Sequence, residues 1–179
     1  MSFKILNEEE EKEIYRLQKF YWKEALRCEN AELYLSGCVM IGSALEAILI
    51  SMVNCYHEEA EATHKIPKTS KGKVKPLLDW TLAELLKVAK AAKWLPSGLE
   101  LEDGWNYKKA KIGDYAEVVR MVRNLLHPAK YLKEHSRGKI TKKYLERQFE
   151  IALGCRDWLA YHNNKSLLRH LEEEKEVRN

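Results

Sequence analysis

The sequence predicts an all-α protein, an antiparallel bundle of four to five main helices. Apolar residues recur at spacings of three and four over most of the chain, residues that favour helix N-termini precede several of these stretches, and no long alternating pattern predicts a strand. With 179 residues and only 8 Gly and 4 Pro, the chain has the length and composition of one compact unit. We therefore expect a single helical domain over residues 1–179.

Two long helices are predicted in the first third of the chain. Asn7, followed by several glutamates, is typical of an N-cap, and the helix that it begins is expected to run to about Arg27. Asn30 is a second candidate N-cap, and the helix that follows is apolar on most of its circumference. We expect this second helix to lie at the centre of the bundle.

Residues 63–76 separate this pair of helices from the rest of the chain. They contain five lysines, two prolines, one glycine and no acidic residue, and they show no apolar periodicity. The composition predicts a mobile Lys-rich loop. Beyond it, Thr81 and Glu84 form a capping-box pattern that opens a helix continuing toward Trp94.

Two further main helices are predicted in the second half of the chain. Asp114 is the candidate N-cap of the first, which Pro128 ends, and Thr141 opens the second. A short charged helix or tail is expected over residues 164–179, where the sequence becomes rich in glutamate.

Charge and composition exclude several classes of protein. The net charge of +4 permits a phosphate-bearing partner without requiring one. No apolar run is expected to be long enough to cross a membrane, and the N-terminus lacks the pattern of a secretory signal, so we expect a cytoplasmic protein. The four cysteines are far apart, without the spacing of a zinc or redox site, and neither a metal nor another cofactor is expected.

The most distinctive polar pattern lies at the end of the Asp114 helix. Arg120, Arg123 and His127 are spaced at i, i+3 and i+7, which places all three on one helix face. Pro128 follows the histidine and ends the helix, so we expect the imidazole at an accessible terminus. Two cations and a group with a near-neutral ordinary pKa are suited to proton transfer beside a phosphate.

The Arg123-Asn124 and His127-Pro128 pairs resemble the motif of the HEPN superfamily, in which an arginine and a polar residue precede a histidine at a helix end. Three residues separate Arg123 from His127, one fewer than the family pattern, whereas Arg120 has an allowed spacing but is followed by methionine. The segment from Ser36 to Glu46 is similar to a stretch common in the second helix of such bundles.

This resemblance implies a helical bundle that acts on RNA as a metal-independent endoribonuclease of a toxin or defence type. It also implies a homodimer, because resembled ribonucleases build a composite site from two copies of the histidine and arginines. An antitoxin or a nucleotidyltransferase is the kind of protein partner that it suggests.

A second interpretation uses the same residues without catalysis. His127 before a proline is also typical of a helix C-cap, and the two arginines can form an ordinary solvated face. The chain would then be a non-catalytic helical module that binds protein, nucleotide or RNA.

The other candidate binding residues are one residue within the motif and four outside it. Asn124 belongs to the motif itself, whereas Glu46 lies on the most apolar helix and either pairs with one of the two arginines or lies at the edge of the apolar arc. Lys68, Lys71 and Lys73 of the Lys-rich loop can follow a phosphate backbone or can simply be solvated.

Overall fold

The computed structural model of the protein describes residues 2–95 and 141–178, with the backbone alone at Arg147, Ile151 and 164–178. The described ranges contain helices α1 (Glu8–Asn30), α2 (Tyr34–Cys55), α3 (His57–Ala62), α4 (Leu82–Ala91) and α5 (Lys142–Arg178). A 3-10 turn (Leu77–Asp79) precedes α4. The all-α fold is confirmed, and no strand lies within these ranges.

Helix α1 begins where the sequence predicts. The Asn7 side chain accepts a hydrogen bond from the Glu10 backbone N–H at 2.9 Å, and the Glu10 carboxylate accepts one from the Asn7 N–H at 2.9 Å. This reciprocal capping box satisfies two N–H groups that the first turn leaves unpaired. The predicted end at Arg27 was too early, because α1 continues to Asn30.

The predicted N-cap of α2 was wrong. Asn30 is the last residue of α1, and Leu33 takes the N-cap position of α2 without a side-chain hydrogen bond. A tight turn makes the connection instead: Glu32 adopts a positive φ of 57°, and the Leu33 N–H donates to the Cys28 carbonyl at 2.8 Å. The turn returns the chain along α1, so that α1 and α2 pack antiparallel.

Helix α2 is the centre of the described fold, as predicted. Thirteen of its 22 residues are buried, and it contacts α1, α3, α4, α5 and the 3-10 turn. Its mean hydropathy over 18 residues is 1.8, so α2 is long and apolar enough to cross a membrane, and the expectation that no run has this length was wrong. A core helix of a soluble protein has the same properties, and 61% of that window is buried inside the protein.

Helix α5 runs parallel to α2. Leu145 near the start of α5 contacts Gly37 near the start of α2, and the Tyr56 hydroxyl after α2 donates to the Asn163 side chain at 2.5 Å. The predicted separate helix from Asn164 was wrong, because α5 continues without a break to Arg178. Asparagine has low helix propensity, and the hydrogen bond from Tyr56 helps to hold Asn163 inside the helix.

The buried side chains form two clusters on opposite halves of α2. The smaller cluster joins α1, the first half of α2 and the first turns of α5 through Ala25, Cys38, Ile41, Leu145, Phe149 and Ala152. The larger one joins the second half of α2 to the N-terminal segment, α3, α4 and the middle of α5. Packing of this extent is the main source of helix stability in a protein.

Candidate nucleic-acid interface

A hairpin-shaped turn lies within the Lys-rich segment 63–76 that was predicted to be a mobile loop. The Thr69 N–H donates to the Lys73 carbonyl at 2.7 Å, the Gly72 N–H donates to the Thr69 carbonyl at 2.9 Å, and the Lys75 N–H donates to the Pro67 carbonyl at 3.0 Å. Gly72 has a φ of 76°, which a glycine adopts without steric cost. We call residues 67–75 the lysine hairpin.

Side chains attach the base of the lysine hairpin to α4. The Lys75 ammonium lies 2.7 Å from the Glu84 carboxylate, and the Trp80 indole N–H donates to the Lys75 carbonyl at 3.1 Å. Glu84 also completes the capping box with Thr81, which confirms the predicted start of α4. The hairpin therefore leaves the helical body from a fixed base.

The electrostatics at Glu84 agree with this geometry. Burial acts to raise the pKa of the Glu84 carboxyl, but hydrogen bonds from Lys75 and Thr81 together outweigh it and hold the pKa below its usual value. Lys75 is thus committed to a structural ion pair, whereas the hairpin's other lysines are not part of it.

The three lysines predicted to bind phosphate lie on the lysine hairpin. Lys68, Lys71 and Lys73 are all exposed, and Lys65, just before the hairpin, is exposed as well. No acidic residue occurs between 63 and 76, so these cations have no carboxylate within their own segment. An exposed group of like charges on a defined backbone attracts polyanions such as a phosphate backbone.

Of the other candidate residues, only Glu46 lies in the described part of the chain. Glu46 is half-buried on α2, at the edge of the helix's buried surface. Arg120, Arg123, Asn124 and His127 lie outside the described residues. The described part of the chain therefore contains the lysines of the predicted site. The motif that resembles HEPN proteins stays a prediction from the sequence.

The structure also contains a second polar cluster, which was not predicted from the sequence. The Trp94 indole N–H donates to a Glu59 carboxylate oxygen at 2.9 Å, and His162 Nε2 lies 3.3 Å from the same oxygen, without hydrogen-bond geometry. The Tyr56 ring packs edge-on against His162 with centroids 5.3 Å apart. Its members come from three separate segments of the chain, so no local spacing could have predicted it.

This cluster has a structural role in the described fold. It joins the ends of α2 and α3 to the segment after α4 and to α5, with the Trp94 side chain almost completely buried. The ring centroids lie 5.3 to 6.1 Å apart, the separation of aromatic rings packed directly on each other. In the described ranges, no group of three or more His, Cys, Asp or Glu side chains is placed to hold a metal ion.

Comparison with protein-family models, with curated proteins and with solved structures gives no match. The function of the chain is therefore inferred from its own residues.

Proposed function

We propose that this protein acts on RNA and that the lysine hairpin contacts the phosphate backbone. The observation that carries the proposal is the exposure of Lys68, Lys71 and Lys73 together on a hydrogen-bonded turn without acidic residues. A turn with a fixed base orders its lysines before binding, so less conformational entropy is lost when a polyanion binds.

The finer proposal concerns cleavage and comes from the sequence. His127 acts as the proton-transfer group, and Arg120 or Arg123 stabilises the negative charge that develops as the RNA 2′-hydroxyl oxygen attacks the adjacent phosphorus. The bond from phosphorus to the leaving 5′-oxygen breaks, and the products carry a 2′,3′-cyclic phosphate and a free 5′-hydroxyl. The resemblance of the 123–128 segment to HEPN ribonucleases supports this assignment.

The proposal also includes an oligomeric state, a cellular location and a protein partner. One histidine cannot easily serve as both acid and base, so a two-fold homodimer that brings two copies of His127 together would supply both roles. A cytoplasmic location is part of the proposal, and the resemblance suggests an antitoxin or a nucleotidyltransferase as partner. Helices α1, α4 and α5 pack against the apolar face of α2, so that face does not itself require a second copy of the chain.

RNA binding is tested with a labelled single-stranded RNA by fluorescence anisotropy over a series of salt concentrations. The variant Lys68→Gln/Lys71→Gln/Lys73→Gln should bind more weakly, and the slope of log K against log salt should fall by about 2, since a single strand loses about 0.7 per cation contact. The matched control is Lys93→Gln/Lys142→Gln/Lys143→Gln, which removes the same charge from other exposed sites. Equal binding by the two variants would contradict a role for the hairpin.

Cleavage is tested separately with the same RNA in the presence of a chelator. His127→Ala should abolish cleavage and leave RNA affinity and thermal stability nearly unchanged, while Arg120→Ala and Arg123→Ala identify the arginine that belongs to the site. Intact RNA after incubation with the unmodified protein under all conditions would exclude the ribonuclease and leave the binding module.

A further inference from the structure

Five basic residues lie in one row along the solvent face of α1. The row consists of Lys12, Arg16, Lys19, Lys23 and Arg27, and all five are exposed. They are spaced four, three, four and four residues apart, which places them on one helix face. We call these residues the cation row. The opposite face of α1 carries the side chains that pack inward, among them Ile14 and Ala25.

Exposed aromatic side chains flank the cation row. Tyr15 is 55% exposed and Phe20 is 45% exposed, and the Lys19 ammonium lies 4.1 Å from the centre of the Tyr15 ring. Aromatic rings that alternate with cations are the pattern by which proteins bind single-stranded nucleic acid, because every base offers a face for stacking.

Acidic residues neutralise the cation row only in part. Lys12 pairs with Glu8 and Arg16 pairs with Glu13, each at 2.5 Å, and Arg27 pairs with Glu24. These are pairs within one helix on an exposed surface, which are weak and easily exchanged for another anion. Within the described part of the chain, Lys19 and Lys23 at the middle of the row form no ion pair.

We propose that the cation row is a second RNA-binding surface, which holds the phosphate backbone of a single strand while Tyr15 and Phe20 stack on its bases. This inference rests on the proposed action on RNA and adds a surface that the lysine hairpin does not include. The row spans 15 residues, or about 22 Å along the helix. A stacked strand rises about 3.4 Å per nucleotide, so the row matches about six nucleotides.

The architecture favours RNA over a lipid surface as the occupant. A basic helix that lies on a membrane buries its apolar face in the lipid. The apolar face of α1 is already packed against α2 and α5, where Ala25 is fully buried and Trp22 contacts Phe149. The solvent face of α1 is cationic and is flanked by aromatic side chains. Such a face suits a phosphate chain with exposed bases.

The base of the lysine hairpin lies against the N-terminal segment that leads into α1. The Leu77 N–H, two residues after the hairpin, donates to the Lys4 carbonyl at 3.1 Å, and the Phe3 ring packs against Trp80 at 4.9 Å. The N-terminal segment therefore joins the base of the hairpin to the first turn of α1. A single RNA strand that contacted both surfaces would meet the second at a raised effective concentration.

The test uses anisotropy with a labelled oligouridylate long enough to reach both surfaces, titrated with the full chain. Arg16→Gln/Lys19→Gln/Lys23→Gln should weaken binding about tenfold and lower the salt slope by about 2. Tyr15→Ala/Phe20→Ala should weaken binding with the salt slope unchanged, because stacking releases no counterions. The control is again Lys93→Gln/Lys142→Gln/Lys143→Gln, and helicity by circular dichroism must match in all variants.

Each alternative result has a distinct meaning. Binding by the cation-row variant equal to that of the control, while the hairpin variant loses affinity, would overturn this inference and leave the proposed function standing. No RNA binding by the unmodified chain would refute the proposed function itself. If the unmodified chain cosediments with phosphatidylserine vesicles and the cation-row variant does not, with RNA affinity unaffected, the occupant is a lipid surface and the inference is overturned.

Discussion

Gly37 of α2 and Leu145 of α5 are in direct contact. A β-carbon added at position 37 would lie 2.7 Å from Leu145 Cδ2 and 3.0 Å from Leu145 Cδ1, with the Cys28 β-carbon 3.4 Å away. Leu145 is fully buried, so its side chain has little room to move aside. The absence of a side chain at 37 therefore allows these parallel helices to approach closely.

Gly37→Val is expected to lower the free energy of unfolding by about 1–3 kcal/mol, because it overpacks this contact. Gly37→Ala should lower it less, since alanine gains about 1 kcal/mol of helix propensity over glycine. Urea unfolding followed by circular dichroism measures both. Ser36→Val, at an exposed site in the same turn, is the control. An equal loss in Gly37→Val and Ser36→Val would mean that Leu145 adapts and that the contact is unimportant.

Glu59→Ala should destabilise the protein by about 1–3 kcal/mol, because it leaves the Trp94 indole N–H without its acceptor in a buried position. Glu59→Gln retains an acceptor oxygen and should lose less. The same unfolding measurement applies, with Glu58→Ala at the adjacent exposed position as the control. A Gln variant as unstable as the Ala variant would show that the carboxylate's charge, and not the hydrogen bond to Trp94, is the important property.

The lowered pKa of the Glu84 carboxyl leads us to expect that the stability of the protein depends on pH. Its pKa in the folded protein lies below the usual value of 4.5, so it stabilises the fold above that pH, and the contribution is lost as the pH falls through the folded pKa. Glu84→Gln should therefore lower the melting temperature at neutral pH, with the difference from the unmodified protein shrinking below pH 4.5. Melting curves from neutral to acidic pH provide the measurement. A difference that stays constant over this range would contradict the assignment.

The four cysteines should differ sharply in reactivity. Burial raises the pKa of Cys38 and of Cys155 to about 12, so almost no thiolate is present at neutral pH. Cys55 is exposed, and Cys28 is half-buried. Mass spectrometry after iodoacetamide treatment should find Cys55 labelled first, then Cys28, and the other two only after unfolding. Equal labelling of all four in the folded protein would show that α2 and α5 separate readily.

Local signals in the sequence predicted the helix starts. At Asn7 and at Thr81 the cap residue and the glutamate three residues later lie next to each other in the chain, so the pattern alone specifies the hydrogen bonds. The apolar positions of α2 likewise predicted its central place. The start of α2 at Tyr34 could not be predicted in this way, because a backbone turn at Glu32 replaces a side-chain cap.

Features that depend on distant contacts were not predictable from the sequence. The continuity of α5 through Asn163 involves Tyr56, which lies 107 residues away in the chain. For the candidate site, the composition of the loop identified Lys68, Lys71 and Lys73 but not the hairpin that orients them. The basic residues of the cation row occur at helical spacing in the sequence. The prediction of α1, however, used only its N-cap and its apolar positions.

The parallel packing of α2 and α5 sets the order in which the chain can fold. The α1–α2 pair is local and can form early, whereas loop closure over more than a hundred residues must precede the contact between Tyr56 and Asn163. During synthesis, the face of α2 that carries Ile41 therefore stays without its α5 partners Leu145 and Phe149 until α5 has left the ribosome. The nascent chain is therefore expected to be most prone to aggregation before α5 emerges.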